Sequence, residues 1–276
     1  MANQHTLQRP VCVEGVGMHT GKRCRVTVKP AEENAGIVFH LAGECIPALA
    51  EYVVSTDRCT TLGRDGVRVM TVEHLLSALV GTGIDNAHIE VEGEEIPVLD
   101  GSAMPWVERL LDAGLCEQRA PRQRFQLVRP VSVMAGDRGI WAMPHPERLL
   151  IATVHYSHPL VGTQVAWFAL DKIDYREEIA PARTFGFWEE VESLLARGRA
   201  LGGSLDNALV IFPDRYSASL RFPDEVLRHK VLDLLGDLAL VGVQVEALFV
   251  AVKPSHTLNT AFAMALRQTI LGEVEQ

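Results

Sequence analysis

The segment from residue 226 to 238 constrains the fold most, because its apolar residues recur at the spacing of a helix that buries one face. These residues are Val226, Leu227, Val231, Leu234, Leu235 and Leu238. His229 and Asp233 interrupt the apolar pattern four residues apart, and an α-helix places such side chains next to each other. The pair predicts either an intrahelical hydrogen bond or a shared cation, and the spacing alone does not decide between them.

A second apolar helical pattern, at residues 71–80, also contains a histidine, His74, with Glu73 beside it. A lone histidine in such a helix is often an ordinary interior or boundary residue. Two histidines and one aspartate, however, match an open catalytic zinc site that leaves the fourth position to water. His74, His229 and Asp233 are therefore candidate ligands of Zn2+. Glu73 is a candidate base that would take a proton from the water during amide hydrolysis.

The two helical patterns occur at matching places in the two halves of the chain. Each half runs through several strands, an apolar helix, a strand and a further helix. We predict an α+β fold of two similar domains, residues 1–118 and 125–276, each with a β-sheet layered with α-helices in a β-α-α-β sandwich. The polar segment 117–124 has no apolar period and is predicted to be the linker. Two such domains facing each other would bring the three candidate ligands together.

Local signals add detail to this plan. Asp65-Gly66 predicts a hairpin turn, and Ser102 is the predicted N-cap of a helix that stops at Gly114. Segment 186–212 has no counterpart in the first half and is predicted to be a small βαβ-type insert. The insert either lines a groove for an apolar substrate or only extends the packing.

Composition limits the possible functions. The chain has 276 residues and a net charge of -9, with no run of Lys or Arg, which argues against binding to nucleic acid. Its five cysteines are scattered without a C-x-x-C motif, so a disulfide framework is not expected. No secretory signal and no apolar stretch of about 18 residues is present. We expect a monomeric cytoplasmic protein without a membrane span.

Eight ordered stretches make the chain similar to one known family. It resembles, over nearly its whole length, the UDP-3-O-acyl-N-acetylglucosamine deacetylase family of lipid A biosynthesis. Together the stretches are far more specific than a single H-x-x-x-D motif. They lie at residues 13–21, 71–75, 83–86, 97–102, 182–187, 203–207, 221–225 and 229–233.

The resemblance implies a zinc amidohydrolase that hydrolyses the N-acetyl group of a UDP-linked, 3-O-acylated glucosamine. It implies that His74, His229 and Asp233 bind zinc and that Glu73 is the base. The remaining implied roles fall into two groups. The catalytic group comprises His256 as the acid that protonates the leaving amine, Asp237 as the residue that keeps His256 charged, and Thr184 as a donor to the oxyanion. The substrate-binding group comprises Lys230, Lys253, Phe185 and His19.

The sequence departs from the family pattern in two places. Lys253-Pro254-Ser255-His256 replaces the usual Lys-Ser-Gly-His, and the segment 155–159 lacks an acidic-aromatic pair that the family often has. These departures leave open a zinc amidohydrolase of another acetamido sugar. A non-catalytic protein that binds metal or nucleotide sugar is a further alternative, although it does not explain why Glu73 and His256 accompany the three ligands.

Overall fold

The computed structural model describes residues 2–274, in which strands and helices alternate as two successive sets. The helices are Glu73–Thr82 (α1), Met104–Ala113 (α2), Tyr175–Glu178 (α3), Trp188–Ala196 (α4), Glu225–Leu238 (α5) and His256–Val274 (α6). The strands of the first half are Asn3–Leu7 (β1), Val11–Val16 (β2), Arg23–Pro30 (β3), Ile37–Leu41 (β4), Glu44–Pro47 (β5), Val53–Ser55 (β6), Thr61–Arg64 (β7), Val67–Val69 (β8) and Ala87–Glu92 (β9). Those that follow are Leu115–Pro121 (β10), Arg124–Gln126 (β11), Val131–Ala135 (β12), Arg138–Pro144 (β13), Leu149–His155 (β14), Thr163–Ala169 (β15), Phe185–Phe187 (β16), Leu209–Ile211 (β17) and Gln244–Val252 (β18).

Two large sheets share one topology, which confirms the predicted repetition of the fold. The first has the order β2-β3-β9-β4-β5 and the second the order β12-β13-β18-β14-β15, with β11 added alongside β18. The middle strand of each sheet is the one that follows the apolar helix, β9 after α1 and β18 after α5. It lies parallel to one neighbour and antiparallel to the other. The predicted α+β class is confirmed. The domain boundaries, 1–118 and 125–276, stay predictions.

The helices α1 and α5 form the middle of the molecule. They pack against each other, α1 also contacts α2, and α5 also contacts α6. Most residues of α1 and α5 are buried, because the two helices pack against each other and lie between the sheets. This arrangement is the predicted β-α-α-β sandwich, and it places the polar residues of both helices in its interior.

Gly236 allows α1 and α5 to approach closely. A Cβ atom at this position would lie 2.0 Å from the carbonyl oxygen of Glu73 and 3.0 Å from its Cα, both of which are backbone atoms. Backbone cannot rotate away as a flexible side chain does. The absence of a side chain at Gly236 therefore sets how near the two helices lie, and with them the polar groups that they carry.

Gly236→Ala is expected to destabilise the protein, although alanine is the better helix former. Overpacking a core costs about 1–3 kcal/mol, which exceeds the roughly 1 kcal/mol of helix propensity that alanine gains over glycine. Urea unfolding followed by circular dichroism measures the free-energy difference. Gly272→Ala in α6 is the matched control, because a Cβ there meets no atom within 4 Å. Equal stability of the two variants would contradict this role for Gly236.

The predicted linker is wrong over most of its length. Leu115–Pro121 is strand β10 and pairs antiparallel with β1, and Arg124–Gln126 is strand β11 and pairs parallel with β18. The pair β1-β10 is a two-stranded ribbon, so β10 buries none of its residues fully and carries no apolar alternation. A polar strand of this kind cannot be told from a linker by hydrophobic pattern alone.

The predicted hairpin turn is confirmed, whereas the predicted N-cap is displaced by one residue. Asp65 and Gly66 join β7 to β8 with φ values of 49° and 86°, as a two-residue hairpin turn with two left-handed residues requires. Helix α1 ends at Gly83 with φ 78°. Ser102, in contrast, lies one residue before the N-cap of α2, and its hydroxyl accepts the backbone N–H of Met104.

The predicted insert is a parallel pair, β16 and β17, connected through α4. Across residues 2–274, none of the helices is both long enough and apolar enough to cross a lipid bilayer. All five cysteines are free thiols.

Candidate active site

His74, His229 and Asp233 meet where α1 crosses α5. Asp233 Oδ1 lies 3.5 Å from His74 Nε2 and 3.4 Å from His229 Nε2. One ligand atom from each of the three residues falls within 4.8 Å of the others, and all three side chains are buried. The sequence separation of about 155 residues between the two histidines is bridged by the contact of the two helices.

The donor atoms fit a cation better than a hydrogen-bonded pair. Asp233 Oδ1 is buried and has no hydrogen-bond partner among residues 2–274, so the intrahelical hydrogen bond that the spacing allowed does not satisfy it. The Nδ1 of His229 lies 3.2 Å from the carbonyl oxygen of Ala182, which only accepts, so Nδ1 carries the proton and Nε2 faces Asp233 with a lone pair. A carboxylate oxygen and two imidazole nitrogens in this arrangement suit a divalent transition metal.

Burial keeps the imidazole of His229 in the form that a metal needs. It lowers the pKa of His229 to about 3, so the ring is neutral at neutral pH. Burial also favours protonation of Asp233, but the positive charges around it, Lys230 and His256 among them, outweigh burial and hold its pKa well below the ordinary value. The site therefore presents an ionised carboxylate beside a neutral imidazole.

Glu73 is buried at the start of α1 and directs one carboxylate oxygen into the cluster. Its Oε2 accepts the backbone N–H of Thr60 at 3.0 Å, while Oε1 lies 3.7 Å from His256 Nε2. Burial raises the pKa of Glu73 to about 7, although His256 and His74 counteract part of that rise. A carboxylate with a pKa near neutrality can both take and release a proton.

His256 begins α6 and is oriented by Asp237. The ring Nδ1 donates to Asp237 Oδ2 at 3.0 Å, which leaves Nε2 facing Glu73 and, at 3.8 Å, Asp233 Oδ2. Burial would lower the pKa of His256, but the carboxylates of Glu73, Asp237 and Asp233 outweigh it and raise the pKa to about 9. Despite the Pro254-Ser255 departure, His256 is thus a buried imidazolium at the cluster.

Two polar residues that the sequence did not reveal hold Asp237 in place. The hydroxyl of Thr60 donates to Asp237 Oδ1 at 2.5 Å, and the side-chain amide of Asn259 donates to Asp237 Oδ2 at 2.9 Å. Thr60 thereby connects both carboxylates, since its backbone N–H binds Glu73. Asn259 could have been found from its i+3 spacing to His256, whereas Thr60 lies in a loop that carries no periodic signal.

Lys230 and Phe185 lie against the cluster. The amine of Lys230 donates to Asp233 Oδ2 at 2.7 Å and sits 5.5 Å from the centre of the Phe185 ring, which packs edge-to-face on His229. Burial lowers the pKa of Lys230, but Asp233 more than offsets it, so the pKa is raised and the amine stays charged. Its long side chain reaches one turn along α5 to pair with one of the candidate ligands.

The three remaining candidates differ in how close the structure places them. Thr184 lies two residues after Ala182, whose carbonyl binds His229, and the backbone N–H of Thr184 donates to the carbonyl of Gly101 in the first half. The backbone N–H of His19 donates to the Glu95 carboxylate, and burial lowers the pKa of the His19 imidazole. The amine of Lys253 pairs with Asp137, in the turn between β12 and β13, and not with a residue of the cluster.

A family model described as UDP-3-O-acyl N-acetylglycosamine deacetylase matches residues 4–268 of this chain. The chain belongs to this family. The resemblance inferred from the sequence motifs is thereby confirmed.

Curated relatives of this deacetylase family are similar over nearly all of the chain. The protein named UDP-3-O-acyl-N-acetylglucosamine deacetylase from Myxococcus xanthus is 45% identical over 265 residues, which cover 93% of this chain and 84% of the relative. Proteins of the same name from Geotalea uraniireducens and Phenylobacterium zucineum are 40% and 43% identical. The alignments cover 96% and 95% of this chain and 89% and 92% of those relatives.

The sequence also did not reveal an aromatic cluster beside the candidate active site. Tyr156, Phe185 and Phe187 lie within ring contact of one another, and His158 lies within ring contact of Phe187, with ring centres 5.1 to 6.0 Å apart. It joins the segment 155–159 to the β16 end of the insert. The cluster gives the insert an apolar surface at the edge of the candidate active site.

Proposed function

We propose that this chain hydrolyses the N-acetyl group of UDP-3-O-[(3R)-3-hydroxyacyl]-N-acetylglucosamine, giving the free amine and acetate, as a step of lipid A biosynthesis with Zn2+ as cofactor. The observation that carries the proposal is the unpartnered Asp233 Oδ1 beside two imidazole nitrogens, with Glu73 and His256 next to it. His74, His229 and Asp233 would hold the ion. Zinc bound there would polarise the acetyl carbonyl and lower the pKa of the attacking water.

The side chains of Glu73 and His256 account for the proton transfers. Glu73 Oε1 takes a proton from the water as the water oxygen bonds to the acetyl carbon. The imidazolium of His256 gives its Nε2 proton to the amine nitrogen as the C–N bond breaks, because an unprotonated amine is a poor leaving group. The Thr184 hydroxyl would donate to the oxyanion, a contribution of about 3 kcal/mol for one well-placed donor. Asp237 keeps His256 charged and oriented between turnovers.

The surroundings of the site support a substrate that is both anionic and acylated. Lys230 offers a partly buried positive charge, and Phe185 with its aromatic neighbours offers apolar surface for the acyl chain. His19 and Lys253 are proposed to contact the nucleotide sugar. Contact by Lys253 requires its amine to exchange Asp137 for the substrate.

The pH dependence of kcat/KM is expected to be bell-shaped, with limbs near the pKa values of about 7 for Glu73 and about 9 for His256. Activity rises as Glu73 ionises and falls as His256 loses its proton. Asp237→Asn removes a carboxylate that raises the pKa of His256, so the basic limb should move to lower pH. Initial rates of acetate release across pH 5–10 measure both profiles. A basic limb that does not move in this variant would contradict the role of Asp237.

Metal analysis coupled to acetate release tests the proposed function. Purified protein should contain about one zinc per chain. Removal of zinc with a chelator should abolish acetate release from the acylated UDP-sugar, and Zn2+ should restore it while Mg2+ should not, since imidazole ligands disfavour Mg2+.

Two outcomes of this experiment separate the alternatives. Equal rates on UDP-N-acetylglucosamine with and without the 3-O-acyl chain would favour an amidohydrolase of another acetamido sugar. Zinc binding without acetate release from either substrate would overturn the proposal and favour a binding protein.

A further inference from the structure

Glu95 is a buried carboxylate that binds two separate parts of the candidate active site. Its Oε1 accepts the backbone N–H of His19 at 2.9 Å and the hydroxyl of Thr71 at 2.9 Å. Its Oε2 accepts the backbone N–H and the hydroxyl of Thr20, each at 2.8 Å. The side chain is 1% exposed, so these four donors replace the water that an ionised carboxylate would otherwise need.

Thr71 has a strained backbone at the point where α1 begins. Its φ of 59° lies in the left-handed region, which is a true outlier for a β-branched residue. Such strain persists only where surrounding contacts hold it, and it concentrates at functional sites. Glu73 and His74 follow Thr71 by two and three residues. The backbone conformation of Thr71 therefore sets the direction in which the chain enters α1 and carries both site residues.

The loop of residues 17–21 is wrapped tightly around the other side of the same carboxylate. A Cβ at Gly17 would lie 2.2 Å from Glu95 Oε2 and 2.7 Å from the Thr20 hydroxyl, so only glycine fits there. The loop also holds the insert, because the backbone N–H of Gly202 donates to the carbonyl of Met18 at 3.0 Å. His19 is thus fixed between Glu95 and the insert.

We propose that Glu95 is a positioning residue that holds the strained start of α1 and the His19 loop in one fixed relation. It acts on Glu73 and His74 through Thr71, and on the substrate-facing loop through His19 and Thr20. The link to turnover rests on the proposed function, but the link to the metal ligand His74 does not require it. Glutamine cannot replace this glutamate, because its amide nitrogen has no lone pair for the two donors that face that position.

Glu95→Gln is therefore expected to lower kcat/KM by about 10- to 100-fold, as the loss of a partner that orients catalytic groups does elsewhere. Glu94→Gln is the matched control, since Glu94 is the exposed neighbour of Glu95 and its side chain pairs with Lys22 at the surface. Both variants are assayed well below their unfolding midpoints, so that any loss reflects the folded enzyme. If Glu95→Gln matches Glu94→Gln in kcat, KM and zinc content, the proposal is overturned.

Two single-arm variants separate positioning from a general packing role. Thr71→Val removes the hydroxyl on Oε1 and should lower kcat and zinc content with KM little changed. Thr20→Val removes the hydroxyl on Oε2 and should raise KM for the UDP-sugar with kcat little changed. A uniform loss of stability with the same kcat and KM in both variants would show that Glu95 only packs.

A rescue experiment tests the strain directly. Glycine adopts a φ near 60° without restraint, so Thr71→Gly in the Glu95→Gln background should recover part of the lost kcat and zinc content. No recovery of either would contradict the part assigned to Thr71. Zinc content is measured independently of turnover. A wild-type protein that binds zinc but releases no acetate would overturn the proposed function and still leave the positioning of His74 to be decided by Thr71→Val.

Discussion

Glu73→Gln is expected to lower kcat for acetate release by about 10²- to 10⁴-fold, the usual contribution of a general base. Glutamine keeps the shape of glutamate and can still accept the backbone N–H of Thr60, so the start of α1 should stay in place. It cannot take a proton from water. Steady-state kinetics with the acylated UDP-sugar gives the change, and the KM should move much less than kcat.

Two controls make this result specific. The zinc content of Glu73→Gln should equal that of the wild type, because Glu73 is not among the three proposed ligands. Glu90→Gln, on the solvent side of β9 where Glu90 pairs with Lys29, should leave kcat unchanged. A Glu73 variant with full zinc and a wild-type rate would remove Glu73 as the base.

Asp233→Asn should abolish metal binding at working concentrations and activity with it. Loss of a partner that merely orients a ligand costs about 10- to 100-fold in metal affinity, so loss of the carboxylate ligand itself should cost more than about 100-fold. The variant also leaves the partly buried amine of Lys230 without its ionised partner, which destabilises the folded protein. Zinc titration with a competing chelator measures the affinity, and thermal unfolding measures the stability.

Asp214→Asn is the control for this variant, because Asp214 is exposed and pairs with the adjacent Arg215. It should retain wild-type affinity and activity. If Asp233→Asn binds zinc as tightly as this control, the assignment of Asp233 as a ligand is wrong, and with it the proposed metal centre.

The sequence predicted those parts of the molecule in which periodicity and burial coincide. The apolar pattern around His229 and Asp233 led to α5, and the similar order of elements in the two halves led to the paired sheets. The meeting of His74 with this pair followed from the expected facing of the halves. In each case one helix face or one sheet face carries the information, so a single sequence contains it.

The contacts that the sequence did not predict depend on side-chain direction and on loops. The pairing of Lys230 with Asp233 depends on the rotamer of a long, flexible side chain. Thr60 contributes one backbone and one side-chain donor from a loop, and only the folded chain shows which carboxylates they reach. The ribbon strand β10 was missed because hydrogen bonding, and not apolar burial, holds it.

The proposed ligands come from two separate helices, so the ion would also stabilise the packing of these helices. An ion bound by His74 from α1 and by His229 and Asp233 from α5 can bind only when the halves are docked, so mass action favours the docked form. Zinc would then act as a removable crosslink across the middle of the sandwich. Hydrogen exchange at the crossing of α1 and α5 would slow on zinc loading, while the outer faces of both sheets would exchange as before.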